Sequence, residues 1–255
     1  VNVKIENIKK QFILFAGSFI LKLFDSIVVF FANNKIVKEN LIFKDKLETL
    51  EMNWEAYFKE YIHYKNTKTI HQYAEFYTTD SDIGQYGNWT GGPVMLWDYI
   101  IEDNFQLCPK TAEILKIFPN CKSIVFSTLG EDKYVYPHKG IYKGILRVLL
   151  CLDVGMEGKA WAKIGDQKYE FEIGKSIIFD ETVMHEVYNG SNRPRVVLYL
   201  DLLRPFYPPL SWLNEVIYGL MRKSFFVQKM LQSYKKIDQN TEIIDRRKAN
   251  FDAVS

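Results

Sequence analysis

Cysteine is scarce and scattered in this sequence: Cys108, Cys121 and Cys151 are odd in number, far apart and form no C-x-x-C pair. That spacing argues against a disulfide framework and a zinc knuckle and suits a reduced compartment, where three buried thiols are the ordinary outcome. An excess of either charge is missing as well. The 33 basic and 31 acidic side chains leave a net charge of +2, without the basic footprint that wholesale nucleic-acid binding needs. There is no internal repeat, no low-complexity tract, and no uninterrupted apolar run of the roughly 20 residues that a spanning helix requires. The nearest approach is Phe12 to Ala32, which follows Lys4, Lys9 and Lys10 but is interrupted by Lys22 and Asp25. It reads either as a segment that lies on or spans a membrane or as an amphipathic helix docked on the core. The expected location is cytoplasmic, with membrane association through residues 1–33 as the open question.

What is present is enough apolar material for a full core, 47% of 255 residues, and a pattern that changes along the chain. Residues 1–35 form the apolar N-terminal segment. Residues 36–122 are expected to be a scaffold of helix and loop: Leu41, Leu47, Leu50, Trp54 and Phe58 recur at helical intervals over 36–65, and Thr78 to Gly92 turns to loop residues and aromatics. A short helix starts at Pro109 and Thr111 and stops before Pro119. Residues 123–206 change to short strands, over 124–128, 133–136, 144–152, 159–164, 167–172, 176–179, 186–188 and 195–202, separated by Gly- and Asn-rich turns. About eight such strands in some eighty residues predict a mainly β domain with flanking helices, a double-stranded β-helix or jelly roll. Residues 207–255 return to a helical pattern and end in a polar tail.

Only four histidines occur, and two of them share a phrase: His138 precedes Arg147 by nine residues and His185 precedes Arg195 by ten. Each histidine sits near the mouth of a predicted strand and each arginine on or at the start of an apolar one. By strand alternation Arg147 shares a face with Ile145 and Leu149, and Arg195 with Val197 and Tyr199. A cation on an apolar wall needs an anion, and a bidentate guanidinium answers a carboxylate-bearing ligand well. Two imidazoles suit a first-row metal such as Fe(II), although the usual third ligand, a carboxylate two residues after the first histidine, is replaced by Gly140. Asp180 could orient an imidazole or cap a turn. His63 and His71 fall outside the pattern and read as surface or packing residues.

The stretches Phe126-Ser127, Pro137-His138-Lys139-Gly140, Leu146-Arg147, Phe179-Asp180-Glu181-Thr182, His185-Glu186-Val187-Tyr188-Asn189 and Arg195 through Asp201 to Arg204-Pro205 make the region resemble the aspartyl/asparaginyl β-hydroxylase family of 2-oxoglutarate-dependent oxygenases. That family includes enzymes whose iron is held by two histidines with glycine in the third place. The resemblance implies Fe(II), 2-oxoglutarate and O2 as cofactor and cosubstrates, and His138 and His185 as the iron ligands. It also implies Arg195 as the clamp on the distal carboxylate of 2-oxoglutarate, with Arg147 and Ser127 also touching the cosubstrate. The expected reaction is hydroxylation of an unactivated carbon, foremost the β-carbon of Asp or Asn in a peptide or protein. Leu149 departs from vertebrate members, which carry histidine there. The phrases around Cys108, Asp180 and Arg204 are similar to the branch that hydroxylates a lipid acyl chain, which is membrane-associated and usually acidic at the place of Gly140. Hydroxylation of a lipid, halogenation at an open metal position, a non-catalytic jelly-roll binding module and a membrane-anchoring adaptor are the competing readings.

Overall fold

From Cys121 onwards short apolar strands follow one another, and they pair antiparallel, mostly with strands distant in the sequence, into two facing sheets. The computed structural model of the chain describes residues 21–29, 36–68, 70–72, 88–155 and 159–237. One sheet has seven strands in the order β1 (His71–Gln72), β2 (Trp89–Leu96), β4 (Cys121–Leu129), β11 (Arg195–Leu203), β6 (Ile145–Asp153), β9 (Ser176–Phe179), with β3 (Tyr99–Ile100) on β2. The other has four, ordered β5 (Lys133–His138), β10 (His185–Asn189), β7 (Ala160–Ile164), β8 (Gln167–Glu170). The quartets β4-β11-β6-β9 and β5-β10-β7-β8 face each other as the expected double-stranded β-helix.

Strand alternation divides the larger sheet between two cores. Val125, Leu149, Cys151, Phe179, Val197 and Tyr199 turn inward and meet Ala160, Ala162 and Ile164 of the smaller sheet. Ile124, Phe126, Leu146, Val148, Leu198 and Leu200 turn outward and are covered by Leu47, Leu50, Tyr57, Tyr61 and Tyr64 from the helices α2 (Ile36–Met52) and α3 (Trp54–Thr67), together with Ile114 and Phe118. Because both its faces are buried, β11 reads as the unbroken apolar run Val196 to Leu200 rather than as an alternation.

Three details differ from the sequence expectations. The helical pattern over 36–65 is divided into two helices at Asn53, whose side-chain amide donates to the carbonyl of Thr49 at 2.8 Å, a local bond that competes with the helical ladder. The region between Pro109 and Pro119 holds two one-turn helices, α5 (Pro109–Ala112) and α6 (Ile114–Ile117), preceded by α4 (Glu102–Leu107). Both strands carrying histidines run further than expected, so that His138 and His185 lie within them. Pro137 does not stop β5 because β5 is an edge strand, where a missing N–H goes unnoticed.

Of the apolar segment Phe12 to Ala32, residues 21–29 are described, and they form a helix, α1, that buries Phe24 and Val28 against Tyr142, Ile145, Ile217 and Tyr218. Asp25 accepts the backbone N–H of Lys143 at 3.1 Å, so this charge is met by the protein. Residues 12–20 and 30–32 lie outside the described residues, as do Tyr86 and the tail beyond 237. No helix among the described residues is long and apolar enough to cross a membrane. The chain closes with helices α7 (Leu210–Arg222) and α8 (225–237).

Candidate active site

Antiparallel pairing of β5 with β10 sets His138 directly opposite His185, and the next strand sets His185 opposite the core residue Ile164, so the two imidazoles turn into the space between the sheets. Their ring centroids are 4.1 Å apart. The ring of Phe179 stands edge-on to His185 at 5.1 Å. The Nδ1 atom of His138 lies 2.8 Å from the carbonyl oxygen of Tyr136, and that of His185 lies 2.9 Å from the carbonyl oxygen of Val183. A carbonyl can only accept, so each Nδ1 carries the hydrogen and each Nε2 presents its lone pair. Burial, followed by the charge of Arg147, lowers the pKa of His138. Burial, followed by the charge of its partner imidazole, lowers that of His185 to about 3. Two neutral rings with one oriented nitrogen each are what a divalent first-row metal binds. Among the described residues no group of three or more His, Cys, Asp and Glu side chains is placed to hold a metal, so the arrangement is a two-histidine one.

The wall opposite is the inner face of the larger sheet. Arg147 is in register with Asp201 on one side and Phe179 on the other. Its Nε and Nη2 meet Asp201 Oδ1 at 2.9 and 2.8 Å, its Nη1 meets Glu181 Oε2 at 2.8 Å, and its guanidinium lies 4.7 Å from the Tyr199 ring. Sequence reasoning assigned this cation's counter-ion to a ligand, whereas the chain itself supplies two carboxylates. Arg195 lies six residues along β11 from Asp201, roughly 20 Å by strand rise. It is buried, with its guanidinium 4.9 Å from the Phe171 ring. Its charge acts on the Cys151 thiol, which burial nonetheless pushes up to about 12. The charge of Arg147 acts on both imidazoles. The two arginines therefore mark different depths, one beside the histidines and one at the far end. Between them Ser127, buried and in register with Val197, accepts the indole N–H of Trp89 at 3.0 Å.

Glu181 is the residue that sequence reasoning missed. Its carboxylate occupies the space into which a side chain at position 140 would project: an ideal Cβ on Gly140 would lie 2.5, 2.6 and 2.7 Å from Glu181 Cγ, Cδ and Oε1. The Gly140 N–H donates to the Glu181 carbonyl at 2.7 Å, which fixes the two backbones side by side. Burial raises the Glu181 pKa to about 7 against the pull of Arg147. Asp180 does not orient an imidazole. Its Oδ1 accepts from the N–H and hydroxyl of Thr182 at 2.9 and 2.7 Å as a turn cap, and its Oδ2 meets Lys143 Nζ at 3.0 Å and Arg204 Nη2 at 2.9 Å. His63 is exposed on α3, and His71 is buried on β1 with its ring against Tyr234. Both stand apart from the site.

The family model described as aspartyl/asparaginyl beta-hydroxylase matches residues 51–205. The chain is 29% identical over 136 residues to an ornithine lipid ester-linked acyl 2-hydroxylase of Rhizobium tropici, covering 53% of this chain and 48% of that protein. It is 24% identical over 172 residues to the aspartyl/asparaginyl beta-hydroxylase of Homo sapiens, covering 66% of this chain and 22% of that protein. The chain thus spans about half the length of the first relative and about a fifth of the second. Among solved structures, the cupin domain of Schizosaccharomyces pombe Cnp3 matches 55% of this chain and 72% of its own at 6% identity, with a TM-score of 0.35.

Proposed function

Because the chain belongs to the aspartyl/asparaginyl β-hydroxylase family, we propose that it is an Fe(II)- and 2-oxoglutarate-dependent dioxygenase that hydroxylates an unactivated carbon. The observation that carries this reading is the pair of in-register imidazoles with each Nδ1 tied to a carbonyl. His138 and His185 would hold Fe(II) through Nε2. Bound Fe(II) would supply O2 activation coupled to the oxidation of 2-oxoglutarate to succinate and CO2. Arg195 would clamp the distal carboxylate at the far end of the inner wall, where its guanidinium is buried against Phe171. Ser127, its hydroxyl oriented by Trp89, and Arg147 would contact the cosubstrate nearer the metal. Arg147 would also hold Glu181 in its place over Gly140.

Of the two substrate classes, an acyl chain is favoured over an Asp or Asn side chain. The segments next to the two histidines expose Ile141 and Met184, apolar side chains that suit a hydrocarbon better than a charged peptide. The greater identity to a lipid acyl hydroxylase points the same way. The test is succinate release with Fe(II) and 2-oxoglutarate, run with a bacterial lipid extract and with Asp- or Asn-containing peptides, and scored by a product 16 mass units heavier. Lipid-dependent succinate, lost in His138→Ala and His185→Ala, is the expected result. Succinate coupled to peptide would reassign the substrate, a chloride-dependent product would mean halogenation, and no 2-oxoglutarate turnover with any substrate would favour a binding module.

A further inference from the structure

Helix α7 carries apolar residues on both its faces. Towards the core it presents Asn214 with Ile217 and Tyr218. Towards solvent it presents Trp212, Val216 and Leu220, 64%, 60% and 60% exposed at intervals of one helical turn, with Leu213 beside them. Helix α1 packs in the same cluster and exposes Leu23 and Val29. Tyr207 before α7 and Phe225 after it are also exposed. Scattered surface apolar residues are ordinary, but a stripe along one helix continued onto its neighbour marks a binding surface. Exposed basic residues flank it, Lys22 on α1 and Lys223 just after α7, against one exposed carboxylate on α7, Glu215; Arg222 instead lies half-buried over the Tyr99 ring at 4.4 Å.

The same two helices hold the loop that follows His138. The Tyr142 hydroxyl donates to the Asn214 carbonyl at 3.0 Å and also meets its side-chain oxygen. Asn214 Nδ2 donates to the carbonyls of Gly144 and Arg204 at 3.1 and 3.2 Å. Asp25 takes the Lys143 N–H, while Lys143 Nζ reaches Thr182 at 2.9 Å on the segment before His185. Ile141, in the middle of this loop, is 61% exposed. The apolar stripe and the site entrance are therefore parts of one rigid assembly.

We propose that the outward faces of α1 and α7 are a bilayer-docking surface that presents the entrance beside His138 and Ile141 to an anionic membrane. Three observations choose a bilayer over a second copy of the chain or a protein partner. Trp and Tyr with aliphatic residues and a basic flank are the composition of an interfacial helix, and the excess of positive charge complements anionic lipid. The residues that precede α1 in the sequence, Phe12 to Ile20, are mostly apolar and follow three lysines, a composition of the same kind. An apolar rim continued to the entrance suits a substrate that never leaves the membrane. The inference adds to the acyl-chain reading, but its test reads binding alone and is independent of turnover.

The full chain is sedimented with vesicles of phosphatidylethanolamine and phosphatidylglycerol and, separately, of phosphatidylcholine. Binding stronger to the anionic vesicles is expected. Replacing Trp212, Val216 and Leu220 together (W212S, V216S, L220S) should lower partitioning on the order of a hundredfold, with the unfolding transition retained because all three side chains are exposed. In a second measurement, brominated acyl chains should quench tryptophan emission of the parent and much less that of Trp212→Phe. Equal binding by the parent and the triple variant overturns the proposal. It is equally overturned if deleting residues 1–20 alone abolishes binding, or if the parent is a dimer that ignores vesicles and the triple variant is a monomer.

Discussion

Adding one methyl group at Gly140 should expose how tightly Glu181 is held. A Cβ there would fall within 2.7 Å of three side-chain atoms of Glu181, so Gly140→Ala forces that side chain to leave its place. Glu181 is flexible in itself but tethered, by its carboxylate to Arg147 at 2.8 Å and by its carbonyl to the Gly140 N–H at 2.7 Å. Overpacking against a tethered group costs about 1–3 kcal/mol. The lower part of that range is expected, because Arg147 keeps Asp201 as a counter-ion when Glu181 moves. In a Glu181→Ala background the obstacle is gone. Gly140 is not among the glycines with positive φ, so alanine there should be neutral or stabilise by about 0.4–1 kcal/mol through the unfolded chain. Urea unfolding of the parent, the two single variants and the double variant measures the coupling directly. An equal effect of Gly140→Ala in both backgrounds would refute the reasoning. By the same logic Gly140→Asp should tighten Fe(II) only once Glu181 has been removed, since two carboxylates would otherwise compete for one space.

Arg147→Met strands the carboxylates of Asp201 and Glu181, 9% and 15% exposed, and should cost about 3–5 kcal/mol in urea unfolding with partial recovery on adding Asp201→Asn. A loss below ~1 kcal/mol, the scale of a surface pair, would contradict the burial argument. Arg195→Met should raise the apparent KM for 2-oxoglutarate by the equivalent of about 2–4 kcal/mol, and unchanged cosubstrate saturation would remove Arg195 from the clamp. In the metal-free protein His185 is held at about 3 against an ordinary 6.5. The unfolded chain takes up this proton first, so stability should fall as pH drops from about 6.5 towards 3, by at most about 5 kcal/mol for this group. His185→Gln should flatten the stability profile across that window, and a slope as steep as the parent's would show that the loss arises elsewhere.

The barrel and its two histidines were legible because their signals are local: strand alternation, turn residues between short apolar runs, and the repeated His-to-Arg spacing. What stayed hidden depends on register between strands far apart in the chain. Nothing near Arg147 says that Asp201, 54 residues later, will stand opposite it. The available hint was that Asp201 shares the alternation of Arg195, Val197 and Tyr199, a carboxylate facing the same wall as the cations. Glu181 carries no local signal of its role, because its meaning comes from the empty Cβ position at Gly140, a feature of packing. The helix break at Asn53 has no signature in the apolar pattern, because the side-chain bond to Thr49 that accompanies it leaves the apolar spacing on either side intact.

The position of β11 bears on how such a chain comes off the ribosome. It pairs with β4 on one side and β6 on the other, yet it is the last strand to be synthesised among those described. Until residues 195–203 emerge, β4 and β6 each present a bare edge, and the inner and outer cores lack Val197, Tyr199, Leu198 and Leu200. Closure of the larger sheet thus waits for its last strand, and Asn214 must follow before the loop after His138 is pinned. A nascent chain stalled between Asp153 and Arg195 would hold two hydrophobic strands that each lack one neighbour, which makes this interval the one in which a chaperone matters most and truncation is least forgiving.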